Sequence, residues 1–303
     1  MYDLITGRKR NVKIIFLLIL LIVLVALATI SGINLAERNN QKKYAQELQA
    51  QEEQIRQQEL EKKAQEEAKR KAVIQKRLEQ TSRPLSDEEK DRIAHIYRST
   101  GEKRVFLTFD DGPSKSVTPL ILDLLKQEDV KATFFTLGNN VKNNPDIVKR
   151  EFDEGHYVAN HGYSHKYSSI YSSPEATLDE YNVTEQAIKY ALGNDAYVSR
   201  LFRFPGGSNG GYYDEAKQNS KALLRENGIV HLDWNCLSGD AAGAHTKEAL
   251  MQNIIDTMGE KDSVVILMHD ASDKILTYEM LSDLIPYLRE KGYKFQNIYD
   301  LLD

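Results

Sequence analysis

The sequence predicts an α/β fold, a distorted seven-stranded (β/α) barrel, preceded by a transmembrane helix and a helical stalk. Three observations lead there. From Val105 onward, short apolar, β-rich runs alternate with amphipathic segments of helical length, the pattern of a parallel sheet. Several of those segments stop at a glycine (Gly155, Gly193, Gly228, Gly259 and Gly292), as helices closing on a left-handed residue do. The ionisable residues gather where strands end, on the rim where a (β/α) barrel builds its site. The number of strands favours a closed or nearly closed barrel over an open sheet.

In chain order, residues 1–13 form a basic segment with Arg8, Lys9, Arg10 and Lys13. Residues 14–33 follow, beginning IIFLLILLIVLVALATI without a charge or proline, and approach the ~20 residues that cross ~30 Å of hydrocarbon. Positive charge before the apolar run places the N-terminus in the cytoplasm and everything after it outside the cell. The run is longer than the ~7–15 residues of a signal-peptide core and its exit, SGINLAERNN, offers no small-residue cleavage pattern, so an uncleaved anchor is expected. Residues 34–81 are dense in Gln, Glu, Lys, Arg and Ala with no Gly or Pro. The sparse apolar positions Tyr44, Leu48, Ile55, Leu60, Ile74 and Leu78 fit a solvated helix with a broken heptad, a candidate for weak self-association. At ~1.5 Å per residue the stretch from Glu37 to about Gln80 would reach ~65 Å. Residues 82–101 are a lead-in, where Ser86-Asp-Glu-Glu89 has the form of a capping box. Residues 102–303 carry the seven strand-like runs, at 105–109, 132–137, 156–160, 201–204, 229–234, 264–268 and near 293–295.

With 303 residues, of which 41% are hydrophobic, the chain can bury a full-sized core. The single cysteine, Cys236, excludes an internal disulfide. The net charge of −5 and the lack of a basic patch interleaved with aromatics in the globular part argue against nucleic acid as a partner.

The first strand runs into VFLTFDDGPS, where Asp110 and Asp111 stand side by side. Adjacent carboxylates repel, and a turn would need only one; the pair makes sense when one binds a metal and the other faces a cation or a bound water. His161 and His165, in HGYSH, have the i, i+4 spacing that brings two imidazoles to one ion. Two histidines and one carboxylate suit Zn²⁺, and also non-haem Fe(II). A second carboxylate, a further histidine and the lack of a redox-cofactor motif favour hydrolysis. RFPGGSNGG is no phosphate loop, lacking a Gly-Lys-Ser/Thr ending; its glycines let backbone N–H groups approach a ligand. His95, His156, His231 and His245 lack such company and read as structural or surface residues.

Together these residues resemble the polysaccharide deacetylases of carbohydrate esterase family 4, the NodB-like domain, over about residues 102–303. The resemblance implies roles, motif by motif. TFDDGP implies Asp110 as catalytic base and Asp111 as metal ligand; HGYSH implies His161 and His165 as the other ligands. RFPGG implies Arg203 engaging the base, with the Gly206 backbone N–H serving the oxyanion. SGDA supplies Asp240 as a supporting acid, and LMH supplies Leu267 on the acetyl pocket and His269 as general acid. Three positions depart from the family pattern: Gly162 replaces a hydroxyl residue, Gly206 a frequent aromatic and Ala241 a frequent tryptophan.

The expected cofactor is one divalent ion, Zn²⁺ first, with Co²⁺ or another as alternatives. The expected substrate is an extracellular wall or surface glycan, peptidoglycan N-acetylglucosamine first, with Tyr163, Tyr167, Tyr212, Tyr213 and Trp234 as candidate sugar contacts. The competing readings are an O-acetyl glycan esterase and an inactive wall-tethered binding scaffold.

Overall fold

The helix α1 (Tyr2–Ser82) begins the chain; the computed structural model describes residues 2–303, with side chains from Ile15 onward. Arg8, Lys9, Arg10 and Lys13, read above as setting orientation, lie outside the described side chains. The chain divides into two compact units, Met1–Lys71 and Ala72–Asp303. In the first, an 18-residue stretch of α1 reaches a mean hydropathy of 3.0 with none of it buried. It is a single-pass membrane anchor, with the α/β domain on the extracellular side. Further along, exposed i, i+4 pairs such as Lys71 with Glu67 at 2.6 Å lie along the helix surface, where solvent leaves each such pair only a small effect on stability.

The second unit takes in the last turns of α1. Ile74 and Leu78 pack against a cluster around Val148, Phe152 and Tyr197, and Gln80 Nε2 donates to the Leu302 carbonyl at 3.2 Å. Next comes α2 (Asp87–Ala94), whose capping box forms both of its bonds: Ser86 Oγ accepts from the Glu89 N–H and the Glu89 carboxylate from the Ser86 N–H. Ile93 and Ile96 then enter the core.

The α/β part runs β1 (Arg104–Asp110), α3 (Thr118–Gln127), β2 (Thr133–Thr136), α4 (Gly138–Asn143), α5 (Pro145–Asp153), β3 (Tyr157–Asn160), α6 (Tyr167–Ile170), α7 (Pro174–Leu192), β4 (Leu201–Phe202), α8 (Asp214–Glu226), β5 (Val230–His231), β6 (Cys236–Leu237), α9 (Lys247–Met258), β7 (Ser263–His269), α10 (Ile275–Glu290) and β8 (Lys294–Gln296). A 3-10 turn, Ile298–Leu301, closes it. All strand pairs are parallel, in the order β5-β4-β3-β2-β1-β7-β6, with β8 attached to the first residues of β1. The result is a curled half-barrel: seven strands form the path, and among the described residues β5 and β6 do not pair. Each of the seven expected runs contains a strand. The eighth, β6, has two residues, too few to show a period; it takes a place on the path, and β8 lies off it.

Alternation along β1 explains how the core and the site share one strand. Val105, Leu107 and Phe109 face the helices, in a cluster with Ile121, Ile266 and Leu284. Phe106 belongs to the inner cluster with Phe135, Tyr157 and Val265, so Thr108 and Asp110, two and four residues on, share its face. On β7 the same progression runs Val265, Leu267, His269, with Asp110 and His269 in register. The interior thus passes from apolar at the strand starts to polar at the rim.

Because the capping box ties the lead-in to a helix packed on the core, Ser86→Ala is expected to cost about 1 kcal/mol. A fall in the urea midpoint with unchanged slope would register it.

Candidate active site

Asp110 ends β1 with its side chain buried inside the half-barrel. Its Oδ1 accepts from Arg203 Nη1 at 2.8 Å, and its Oδ2 lies 3.8 Å from His161 Nε2. Burial pushes the Asp110 carboxyl above its ordinary value, while Arg203 and His269 oppose that rise. Arg203, one residue past β4, is fully buried. It donates from Nη1 to Thr108 Oγ1 (2.8 Å), from Nε to the Leu232 carbonyl (2.9 Å) and from Nη2 to the Asp233 carbonyl (2.9 Å), and lies 3.9 Å over the Phe135 ring.

Asp111 departs from the strand with φ = 73°, a left-handed conformation unusual for a side-chain-bearing residue. Asn140 Nδ2 holds its carbonyl at 2.7 Å. The following residue must be glycine: a Cβ at Gly112 would lie 2.0 Å from the Asp270 carboxylate, which is buried and held by Thr118 Oγ1 at 2.5 Å. Burial raises Asp270 to about 7. Asp111 Oδ1 therefore points at two imidazoles, 3.5 Å from His161 Nε2 and 3.4 Å from His165 Nε2.

These three ligand atoms lie within 4.8 Å of one another, and Asp111 Oδ1 is buried without a hydrogen-bond partner. Zinc-like bonds of ~2.0–2.1 Å at tetrahedral angles separate ligands by ~3.3 Å, so the cluster fits a divalent cation. His161 Nδ1 lies 2.8 Å from the Arg203 carbonyl, a contact that fixes the proton there and turns the Nε2 lone pair to the cluster. Burial draws His161 down to about 3, against the pull of Asp111, keeping the ring neutral as a ligand must be.

The loop bearing these histidines is held from a direction the sequence did not reveal. Glu180, on α7, accepts from the Tyr163 N–H (2.6 Å), the Ser164 N–H (2.7 Å) and Ser164 Oγ (2.6 Å), and Asn160 Oδ1 takes the Gly162 N–H at 2.9 Å. Gly162 has φ = 79° and a Cβ there would meet Ile170 at 2.9 Å, so the residue that departs from the family pattern is the one this loop accepts. Gly206 is similar: φ is 74°, and the Tyr167 hydroxyl lies 2.4 Å from where its Cβ would be. The Gly206 N–H makes no backbone hydrogen bond among the described residues.

Across the rim, His269 Nδ1 lies 2.8 Å from Asp240 Oδ1; Asp240 Oδ2 accepts from the His269 N–H (2.8 Å) and Thr277 Oγ1 (2.8 Å). Burial alone would pull His269 down. The hydrogen bond and charge of Asp240, with Asp110 and Asp111 beyond, outweigh it and raise the imidazole to about 9. Burial also works to raise Asp240, but its bonds to His269 and Thr277 prevail and its carboxyl is lowered. Leu267 and His269 are the half-buried positions of an otherwise buried β7, both opening on the site. Tyr167 lies tilted beside His165 at 5.6 Å and leads through Tyr213 (6.3 Å) to Tyr212, which is 95% exposed. Trp234 packs on Gly207 and lies 5.7 Å from the Arg203 guanidinium, away from the metal-ligand cluster's immediate contacts. His156 is buried, with Nδ1 accepting the Ala132 N–H, and His95 pairs with Asp91 at the surface.

The fold and this site define a hydrolase with a candidate divalent-metal cluster of one aspartate and two histidines. The sequence profile described as polysaccharide deacetylase matches residues 97–226. The chain is 37% identical over 214 residues to a peptidoglycan-N-acetylglucosamine deacetylase of Bacillus cereus, an alignment covering 67% of this chain and 72% of that protein. It is 34% identical over 214 residues to the peptidoglycan-N-acetylglucosamine deacetylase PgdA of Listeria monocytogenes, covering 69% of this chain but only 41% of that longer relative. The structure of a carbohydrate esterase of family 4 from Streptococcus mutans superposes with a TM-score of 0.61 at 31% identity, over 71% of this chain and 92% of that one. The chain belongs to the polysaccharide deacetylase family.

Glu180→Ala should weaken binding of Zn²⁺ or Co²⁺ by about 10–100-fold, the scale of losing a group that orients ligands. Isothermal titration would measure it, with circular dichroism checking the fold; unchanged affinity would show that the loop keeps its shape without this carboxylate.

Proposed function

We propose that the protein removes N-acetyl groups from N-acetylglucosamine residues of peptidoglycan, releasing acetate. The observation that carries the reading is a pair of proton-transfer groups with opposite charge states, adjacent on β1 and β7, beside a metal-ligand cluster. Asp110 is buried against a guanidinium that favours its ionised form, and His269 is raised to about 9 by Asp240, so the first is placed to accept a proton and the second to donate one. Asp111, His161 and His165 would hold the ion, and this donor set suits Zn²⁺. When bound, the ion supplies Lewis-acid polarisation of the acetyl carbonyl and the attacking water.

The steps assigned to the chain are these. Asp110 takes a proton as water adds to the carbonyl carbon, and Arg203 holds Oδ1 so that Oδ2 is the receiving atom. The Gly206 N–H, free of backbone acceptors, donates to the developing oxyanion, a contact of a kind worth about 3–4 kcal/mol. His269 passes its Nε2 proton to the sugar nitrogen as the C–N bond breaks, while Asp240 retains Nδ1–H and the ring orientation. Acetate and a free amine result. Leu267 lines the space for the acetyl methyl, and the Tyr167–Tyr213–Tyr212 row, with Trp234, offers ring faces to the polymer. Extracellular placement on an anchor and the peptidoglycan substrates named for the Bacillus and Listeria relatives support the choice of polymer. The stalk stretch of α1 is offered as a weak self-association surface.

The deciding assay is acetate release by the full-length protein in detergent from peptidoglycan, N-acetylglucosamine oligomers and O-acetylated xylan, with and without added Zn²⁺. Release from the amide substrates, reduced at least about 100-fold in Asp110→Asn and His269→Ala, is expected. Release from the O-acetyl substrate alone would move the assignment to an esterase, and none from a metal-loaded protein would leave a binding scaffold.

The pH profile should be bell-shaped. Its acid limb follows Asp110, active only when ionised and therefore lost as pH falls through its raised pKa. Its alkaline limb follows His269, active only when protonated and lost as pH rises through about 9. Asp240→Asn removes the partner that raises His269, so the alkaline limb should move down toward the ordinary ~6.5; a limb that stays in place would assign it to another group.

A further inference from the structure

The loop that carries Gly206 has a tyrosine hydroxyl set against it. A Cβ at Gly206 would meet Tyr167 Oη at 2.4 Å and Cζ at 3.0 Å, so the phenol stands where a side chain at 206 would leave the backbone. A Cβ lies about 2.5 Å from its own backbone nitrogen, which puts Tyr167 Oη within about 5 Å of the Gly206 N. Two donors with that separation can reach one oxygen, since each needs to come only within ~2.7–3.1 Å of it. On its other side the Tyr167 ring lies 5.6 Å from His165, one of the three clustered ligands.

Packing explains the ring but not the hydroxyl. The short helix α6 begins at Tyr167 and is anchored by the buried Ile170. Tyr171, one turn on, lies 5.7 Å from Tyr167 and donates its hydroxyl to the Pro205 carbonyl at 2.6 Å, tying α6 to the residue before Gly206. Tyr213 meets Tyr167 edge-on at 6.3 Å. A phenylalanine would fill the place of the Tyr167 ring equally well. The hydroxyl itself has no hydrogen-bond partner among the described residues, and the residue is 38% exposed, so a ligand can reach it. Of the two phenols against this loop, one holds the backbone and the other stands unbonded beside the Gly206 N–H.

We propose that Tyr167 is a second oxyanion donor: its hydroxyl and the Gly206 N–H bond the same oxygen as the acetyl carbonyl becomes tetrahedral. The inference rests on the hydrolytic reading above and deepens it by adding a catalytic residue. No covalent bond to Tyr167 forms or breaks; the hydroxyl keeps its proton and donates a hydrogen bond that strengthens as negative charge gathers on the oxygen. The arrangement also accounts for glycine at 206, because any larger residue would push the hydroxyl out of this position.

The test uses full-length protein in detergent, saturated with Zn²⁺, and the variant Tyr167→Phe, which keeps the ring and loses only the hydroxyl. The substrate is an N-acetylglucosamine oligomer; the probe is the same oligomer with one acetamide replaced by a methylphosphonamidate, a tetrahedral anion shaped like the addition product. In the variant kcat should fall about 100-fold, the low end for losing one oxyanion donor. KM should stay within about twofold, as for an interaction made only in the transition state. By isothermal titration the phosphonamidate should bind at least about tenfold more weakly to the variant, with binding of the unmodified oligomer unchanged. An unchanged kcat, or equal phosphonamidate affinity in the two proteins, would overturn the proposal. So would a loss carried by KM and by oligomer binding, which would make the hydroxyl a ground-state sugar contact. A wild type that releases no acetate would count against the deacetylase reading, and the phosphonamidate comparison would then decide the role of Tyr167 alone.

Discussion

The buried ion pair of Arg203 with Asp110 is the constraint around which the half-barrel is organised. A fully enclosed guanidinium is costly unless its donors are met, and here they reach Thr108 and Asp110 on β1 and the Leu232 and Asp233 carbonyls just after β5. Arg203 itself follows β4, and its planar face rests on Phe135 of β2. One side chain thus laces together four strands of a sheet that does not close on itself. A hydrophobic residue of similar volume would fill the space at less desolvation cost. It would not hold one carboxylate oxygen while leaving the other directed at His161, and burial would then favour a neutral Asp110. The pair is better understood as setting the charge and aim of Asp110 than as a source of stability.

The same logic explains why two aspartates stand together. The strand's pleat sends Asp110 inward, and the left-handed turn at Asp111 swings the next carboxylate away from it toward the histidines. Asp270 packs so closely on Gly112 that no side chain fits there, which makes the glycine of the motif a packing requirement as much as a turn residue. The carboxylates are divided between unlike surroundings: a guanidinium for Asp110, two imidazoles for Asp111, and an imidazole, an amide and a hydroxyl for Asp240. Like charges are tolerated on one rim because each has its own donor set.

How much of this was legible in the sequence depends on whether the signal was local. Strand runs, glycine-ended helices, the Ser86 capping box and the residues of the rim were readable because period, turn chemistry and strand ends are properties of neighbouring residues. The two-residue β6 was not, since no period shows in Cys236–Leu237. Neither was Glu180: an acid following Asp179 on an amphipathic helix looks like any solvated position, and only the tertiary fold brings it under the Tyr163 and Ser164 amides. Tyr167 was visible as an aromatic, but not as the group occupying the space a side chain at Gly206 would need. The contact of Asp240, left unassigned by the motif alone, became a chain from Thr277 through the carboxylate to His269.

The open seam between β5 and β6 shapes the rim on which the candidate site lies. In a closed barrel, the loops at the C-terminal strand ends surround the rim on every side. Here the glycine-rich loop after β4 and the Asp240 loop after β6 belong to strands on opposite sides of the seam, and among the described residues no ladder of hydrogen bonds joins β5 to β6. Forgoing that ladder gives up backbone pairing, partly offset by α2 and α8 covering the free flank of β5. In return the rim is interrupted beside the candidate site. The gap therefore lies between two loops that carry polar residues of the candidate site, Arg203 with its glycines on one side and Asp240 on the other.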